Sequence, residues 1–196
     1  MMKFGIALAG TLLLAGAVGT LQAQTARAVE VPDYAVETAD GDFELRSYPG
    51  LVTASVKRSG SRQQAVRRGF TPLANYIFAK NRTGDKIAMT APVTQERNEN
   101  GWIVSFIMPS DMSLDTLPAP AGDVLLQEVA PRYMATVRFS GRWSDKRFRE
   151  QTARLLKWIE ARGLRPLDQP EYGYYNDPFT PAFLRRNEVL IEVARP

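Results

Sequence analysis

The chain contains no cysteine and no histidine in 196 residues. Without cysteine there is no disulfide, no thiolate nucleophile, no cysteine-ligated zinc and no cysteine-attached cofactor. Without histidine there is no imidazole metal ligand and no His–Ser or His–Cys catalytic pair. Any chemistry falls to Asp, Glu, Tyr, Lys, Arg, Ser, Thr or Met. A large excess of charge of one sign is also missing. The formal net charge is +4, with acidic and basic residues mixed along the chain, which argues against a nucleic-acid surface. A lipoprotein cysteine and a twin-arginine pair near the start are both missing.

The N-terminus has the layout of a secretory signal peptide. Met1-Met2-Lys3 is basic, Phe4 to Val18 is apolar apart from Gly and Thr, and the next charge is Arg27. Small residues then offer cuts after Ala23 or after Ala28. The competing reading is an uncleaved anchor, since the uncharged run is nearly long enough to span a membrane. Cleavage after Ala28 leaves 168 residues and a net charge of +2. That is the size of one ordinary domain with a real core. The expected product is periplasmic or secreted, with no lasting membrane anchor and no nucleic-acid partner.

Two stretches 81 positions apart resemble each other: Phe43–Gly60 and Val124–Gly141. Leu45/Leu126, Ala54/Ala135, Val56/Val137, Ser59/Ser140 and Gly60/Gly141 are identical pairs. Past a one-residue slip, Leu73, Tyr76, Ile77 and Ala79 match Leu155, Trp158, Ile159 and Ala161. Solenoids need about three or more repeats, so the expectation is one domain over 31–196 built from two halves, about 31–117 and 123–196. Chance likeness between two hairpin-plus-helix units is the alternative.

The elements follow from local pattern. Val31–Thr38 and Phe43–Tyr48 flank an Asp-Gly turn. Leu51–Arg58 alternates, with Val52, Ala54 and Val56 on one face, and Tyr133, Ala135 and Val137 repeat this. Ser61-Arg62-Gln63-Gln64 is a capping box and opens a helix. Its expected inward face is Val66, Phe70, Leu73 and Ile77. Pro72 should kink or break it, because proline lacks the N–H and crowds the carbonyl four residues back. Strands are expected over Lys86–Gln95 and Trp102–Met108, around Asn98-Glu99-Asn100-Gly101. A second helix should run from Ser144 to Gly163, with Phe148, Thr152, Leu155 and Ile159 inward. A strand over Tyr172–Asn176, a Pro- and Phe-rich loop and a strand over Glu188–Val193 complete the chain. Each half is then strand, strand, helix, strand, strand, an α+β class. Two such halves could curl into a distorted β-barrel with a helix against each side.

Three stretches resemble the SOUL haem-binding-protein family: Lys86-Ile87-Ala88-Met89-Thr90-Ala91-Pro92-Val93; Phe106-Ile107-Met108-Pro109-Ser110; and Tyr175-Asn176-Asp177-Pro178-Phe179 with Arg185-Arg186-Asn187-Glu188-Val189. The likeness runs from about Tyr34 to Val193. It implies a two-repeat distorted barrel, similar to the effector-binding domains of some transcription regulators. It also implies non-covalent binding of haem or another tetrapyrrole in a shallow apolar groove along the first helix. The matching positions are Val66, Arg67, Phe70 and Ala74, with Arg67 near a propionate and Asn75 where a second cation can stand in the family. Phe179 and Phe183 would form the opposing lip. Tyr175 would either ligate ferric iron as a phenolate or close the barrel end by a hydrogen bond. Lacking histidine, the chain can follow only those members that bind without an imidazole.

The bland alternatives stay beside these. Arg67 can be a solvated charge, Phe70 core, and Met89 and Met108 core rather than iron ligands. Arg186 and Glu188 should pin the last loop by charge-assisted hydrogen bonds. A second functional class is an enzyme on a small hydrophobic substrate, with Tyr175, Asp177 and Glu188 as acid–base groups. No catalytic motif supports it. A third is a module for another apolar ligand or a protein partner.

Overall fold

The structure, a computed structural model, describes residues 29–195, so the expected signal segment 1–28 lies outside the described residues. In chain order the elements are β1 (Ala35–Asp40), β2 (Phe43–Tyr48), β3 (Leu51–Arg58), α1 (Arg62–Ile77), β4 (Val93–Asn98), β5 (Gly101–Ile107), β6 (Leu125–Val129), β7 (Arg132–Phe139), α2 (Asp145–Ala161), β8 (Glu171–Tyr174), a 3-10 turn (Ala182–Leu184) and β9 (Asn187–Val193). The strands form a single antiparallel sheet in the order β1-β2-β7-β9-β8-β4-β5-β3-β6. The class is α+β, as expected, but the sheet is open. The expected barrel does not close, because β1 and β6 end the sheet at opposite edges and do not pair with each other.

Register shows which side each residue takes. Ala54, Phe106, Val93, Tyr174, Asn187 and Phe139 lie in one cross-strand row. Both helices pack on that face, α1 over β3 and β5, α2 over β7 and β9. Two apolar clusters result. One gathers Leu45, Ala135, Val137, Phe148, Leu155, Ile159, Val189 and Ile191 under α2. The other gathers Ala54, Val56, Leu73, Tyr76, Ile77, Val104 and Phe106 under α1. Val66 and Val93 touch both. The helix-free face carries Tyr48, Met134 and Leu190, capped by Tyr34.

Helix α1 begins as its capping box requires: Ser61 Oγ accepts from Gln64 N, and Gln64 Oε1 accepts from Ser61 N. It runs through Pro72 without a break. Pro72 leaves the carbonyl of Arg68 without its helical donor, and Arg58 Nε donates to that carbonyl at 3.3 Å instead. The inward face is rotated from the expected one. Arg62, Ala65, Gly69, Leu73, Tyr76 and Ile77 are buried, and Phe70 lies at the margin. Gly69 permits this rotation, since a Cβ there would sit 2.8 Å from Val104 Cβ. The helix thus lies closer to β5 than any side chain would allow.

Two strand expectations shift. The first strand starts at Ala35, after Pro32, rather than at Val31. Residues 29–34 instead run as a strap, with Glu30 O accepting from Ala91 N at 2.7 Å and Glu30 Oε1 from Ser110 N at 2.8 Å. The Lys86–Gln95 run enters the sheet only at Val93, directly after Pro92, which has no N–H for a ladder. Thr152, expected inward on α2, is partly buried and returns its hydroxyl to Phe148 O at 2.9 Å.

Candidate functional site: the open flank of helix α1

Beside the buried face of α1 runs a stripe at helical spacing: Val66, Phe70 and Ala74, with Arg67 on its solvent side. Val66 and Ala74 are half-buried, Arg67 is exposed and Phe70 is 40% exposed. Phe70 packs edge-on against Phe106 at 5.3 Å between ring centres. Phe106 pairs with Val93, and Val93 pairs with Tyr174, the last residue of β8. The β8–β9 loop leaves the sheet at this same end. The structure thus places the stripe and the loop with Phe179 and Phe183 at one end of the molecule.

That loop is tightly built. Asp177 Oδ1 accepts from Phe179 N at 2.7 Å and Thr180 N at 3.0 Å, and Oδ2 accepts from Thr180 Oγ1 at 3.1 Å. These donors, the Phe179 N–H first, hold the Asp177 carboxyl below its ordinary range. Arg185 donates to Thr180 O and Pro178 O at 2.8 and 2.7 Å and lies over the Trp143 ring at 4.5 Å. Trp143 in turn donates to Asn187 Oδ1 at 2.6 Å, and its carbonyl accepts from Arg62 Nη2 at 2.8 Å and Gln63 Nε2 at 3.3 Å. The loop is therefore linked to the first turn of α1. Phe179 and Phe183 stand 93% and 75% exposed. Arg67 makes no ion pair among the described residues. Asn75 brings no charge to the far end.

Tyr175 is not part of this surface. Alternation along β8 sends Tyr174 to the helix face and Tyr175 to the other. The Tyr175 hydroxyl donates to Glu188 Oε2 at 2.7 Å, and burial, then the Glu188 charge, pushes its phenol well above the usual range. Of the two expected roles, the hydrogen-bonding one is the one the geometry provides. Glu188 is fully buried and also accepts from Arg46 at 2.9 and 3.1 Å and from Arg186 at 3.0 and 2.7 Å. Burial alone would raise its pKa; the Arg46 hydrogen bond and charge, with Arg186, hold it low. Glu188 is thus a locked anion, and Asp177 is spent on its own loop. Of the Tyr175/Asp177/Glu188 trio, Tyr175 and Glu188 are bonded to each other while Asp177 bonds only within its loop. Met108 is buried under α1 and Met89 packs against the same cluster.

Sequence reasoning missed the knot between the helices. Arg62 is buried; it donates to the Tyr174 hydroxyl and, at 2.7 Å, to Asp145 of α2. Tyr174 donates to Gln95 Oε1 at 2.9 Å, and Gln95 Nε2 donates back to Arg62 O at 2.8 Å. Burial, partly offset by Arg62, pushes the Tyr174 phenol up to about 12. The one available signal was Arg62 at the helical spacing of Ala65, Gly69 and Leu73. Two surface hollows, of about 400 Å³ at Lys57–Ser59 and Asn98–Asn100 and about 490 Å³ at Asp33–Ala35 and Ser47–Pro49, are lined by no residue of α1. The α1 flank is an open surface rather than a chamber.

An open antiparallel sheet with two helices on one face is a fold this chain shares with several solved structures. The EcmrR C-terminal domain superposes with a TM-score of 0.61 at 15% identity, over 79% of this chain and 98% of that domain. A Listeria innocua structure described as a hydrolase encoded by lin2189 gives 0.55 at 13%, over 78% and 92%. At such identities the likeness is one of fold alone. Sequence narrows the class: residues 29–192 match the SOUL heme-binding protein family, and the chain belongs to it. Human Heme-binding protein 2 is 31% identical over 193 residues, covering 91% of this chain and 93% of that protein. The mouse Heme-binding protein 2 is 27% identical over a similar span.

Proposed function

We propose that the protein is an exported binder of haem or a related tetrapyrrole, held non-covalently along the α1 flank with no imidazole on the iron. The observation that carries this is the open stripe Val66–Phe70–Ala74 with unpaired Arg67 at its rim, in a chain of a haem-binding family. A porphyrin is a flat apolar plate with two carboxylates on one edge. It needs an apolar wall and one or two cations. Val66, Phe70 and Ala74 supply the wall, Phe179 and Phe183 the opposing lip, and Arg67 the cation. None of these six side chains is an iron ligand. Burying on the order of 400 Å² would give about 10 kcal/mol gross. Lost rigid-body freedom takes back several kcal/mol, leaving roughly micromolar affinity, about 8 kcal/mol.

Hemin titration of the purified protein tests the reading. The Soret band should shift and tryptophan fluorescence fall, without a bis-imidazole spectrum. Arg67→Glu should weaken binding several-fold, more at low salt than at high salt. A Soret band and fluorescence identical to a non-binding control would end the tetrapyrrole reading. Export is the second part, supported by the basic start, apolar run and small-residue exit before residue 29. N-terminal sequencing of exported protein should read from Gln24 or Val29; an intact Met1 on membrane-bound protein would refute it. The third part is origin from two copies. Its support is the strand order, which reads the same from β2 and from β6 when β2–β5 are exchanged with β6–β9. The matched residues Ala54/Ala135, Val56/Val137 and Ile77/Ile159 are also alike in their burial.

A further inference from the structure

We infer that the β8–β9 loop is a docking tip that seats the protein on an anionic lipid surface. Phe179, Phe183 and Leu184 are 93%, 75% and 62% exposed, three large apolar side chains on one short loop. A slack loop would fold such groups inward. This one cannot, because Asp177 fixes its entrance, Arg185 clamps the Pro178 and Thr180 carbonyls, and Gly141 N holds Ala182 O at 2.8 Å. The apolar groups are held out in water by polar bonds behind them.

The surroundings of the tip are cationic. The Gly141–Ala182 bond brings the β7–α2 connection against the loop, and with it Arg142. Arg147 lies at Gly141, where an added Cβ would come 3.0 Å from its Cζ. Arg138, Arg142 and Arg147 are exposed and make no ion pair among the described residues. Arg185 bonds only to carbonyls. Asp177 is the only carboxylate between Tyr175 and Asn187. Apolar side chains beside the 138–147 stretch, which carries Arg138, Arg142 and Arg147 against one carboxylate, Asp145, match the boundary between acyl chains and anionic headgroups.

Size favours lipid over protein. Three such side chains offer on the order of 500 Å², short of the ~800 Å² per partner of a standard protein interface. A lipid surface needs only a small convex tip. Phe and Leu also carry no polar atom for a protein partner to satisfy. Docking by this tip would hold the α1 flank beside the bilayer, where flat apolar molecules partition. The inference goes beyond the tetrapyrrole reading and stands without it.

Vesicle sedimentation tests it, using haem-free protein beginning at Val29, which contains the whole sheet and both cores. The protein should co-sediment with phosphatidylserine–phosphatidylcholine vesicles at low salt, and weakly with phosphatidylcholine alone. Phe179→Ser with Leu184→Ser should lower the partition coefficient at least about tenfold. Arg142→Glu with Arg147→Glu should lower it several-fold on anionic vesicles only, as should added salt. Failure to sediment with anionic vesicles at low salt overturns the inference, as does binding that ignores the Phe179/Leu184 change. Self-association that the same change abolishes, without vesicle binding, would identify the tip as an interface between copies and overturn it too. Leu184→Ser and Arg142→Glu lie outside the proposed porphyrin surface. Hemin binding kept with vesicle binding lost in those variants supports the lipid role. Vesicle binding kept by a protein that ignores hemin supports it as well, while removing the tetrapyrrole reading.

Discussion

Arg46 and Arg62 are both nearly fully buried, on opposite faces of the sheet, and each serves a tyrosine network at the β8 end. They are built differently. Arg46 lies on the helix-free face chiefly against Glu188, a carboxylate with no exposure that also holds Arg186 and Tyr175, with the part-exposed Glu44 on its Nε. Arg62 lies between the helices and meets neutral partners inside: Tyr174, the Trp143 carbonyl and the faces of Phe148 and Tyr172. Its carboxylate, Asp145, is about half exposed. A buried charge needs either a buried counter-charge with every lone pair filled or a route for its counter-charge to water. The first solution is all-or-none; the second tolerates damage.

The largest test of this contrast is Glu188→Ala. It removes the buried counter-charge of Arg46, leaving only the part-exposed Glu44 on its Nε at 2.6 Å, and should cost about 3–5 kcal/mol in urea unfolding. Arg46→Met together with Glu188→Leu should recover much of that loss. The same group sets the acid limb. Because its folded pKa is lowered, its contribution is complete above the unfolded carboxyl pKa and is lost as pH falls through the folded value. Glu188→Gln should flatten that limb. Next comes Tyr174→Phe, which leaves Gln95 Oε1 without its donor and should cost about 1–3 kcal/mol. Tyr174 also shapes the alkaline limb. With its phenol raised to about 12, its contribution is present below the ordinary value near 10 and is lost as pH rises through about 12. Absorbance titration at the tyrosinate band should therefore show late-ionising phenols that Tyr174→Phe reduces. Smallest is Asp145→Asn, at less than about 1 kcal/mol, since that pair is solvent-screened. If it costs as much as Glu188→Ala, the contrast between the two faces collapses.

Much of the local structure was legible in the residues. β2 falls where its place beside the Asp-Gly turn put it, β3 where alternation put it, and the Ser61–Gln64 box starts α1 on the expected residue. What escaped were effects of distant partners. Pro72 does not interrupt α1 because Arg58, on β3, supplies a donor to the stranded carbonyl. The inward face of α1 is turned because Gly69, which carries no hydrophobic signal, lets the helix settle on Val104. That turn leaves Phe70 at the margin, where the proposed groove needs it. Tyr174 and Tyr175 are neighbours with similar side chains, and only the register of β8 between β4 and β9 sends them to opposite faces. Open edges rather than a barrel depended on strand order, which no local pattern encodes.

The strand order has one more consequence. β2 is paired with β7 and β6 with β3, so each half of the chain lends a strand to the other half's part of the sheet. Neither half, cut in the Leu117–Gly122 stretch between them, possesses a finished edge. Cooperativity is thus written into the topology, and melting one half strips a strand from the other. A nick in the linker should be tolerated, and two separately made fragments should find each other as a complementing pair.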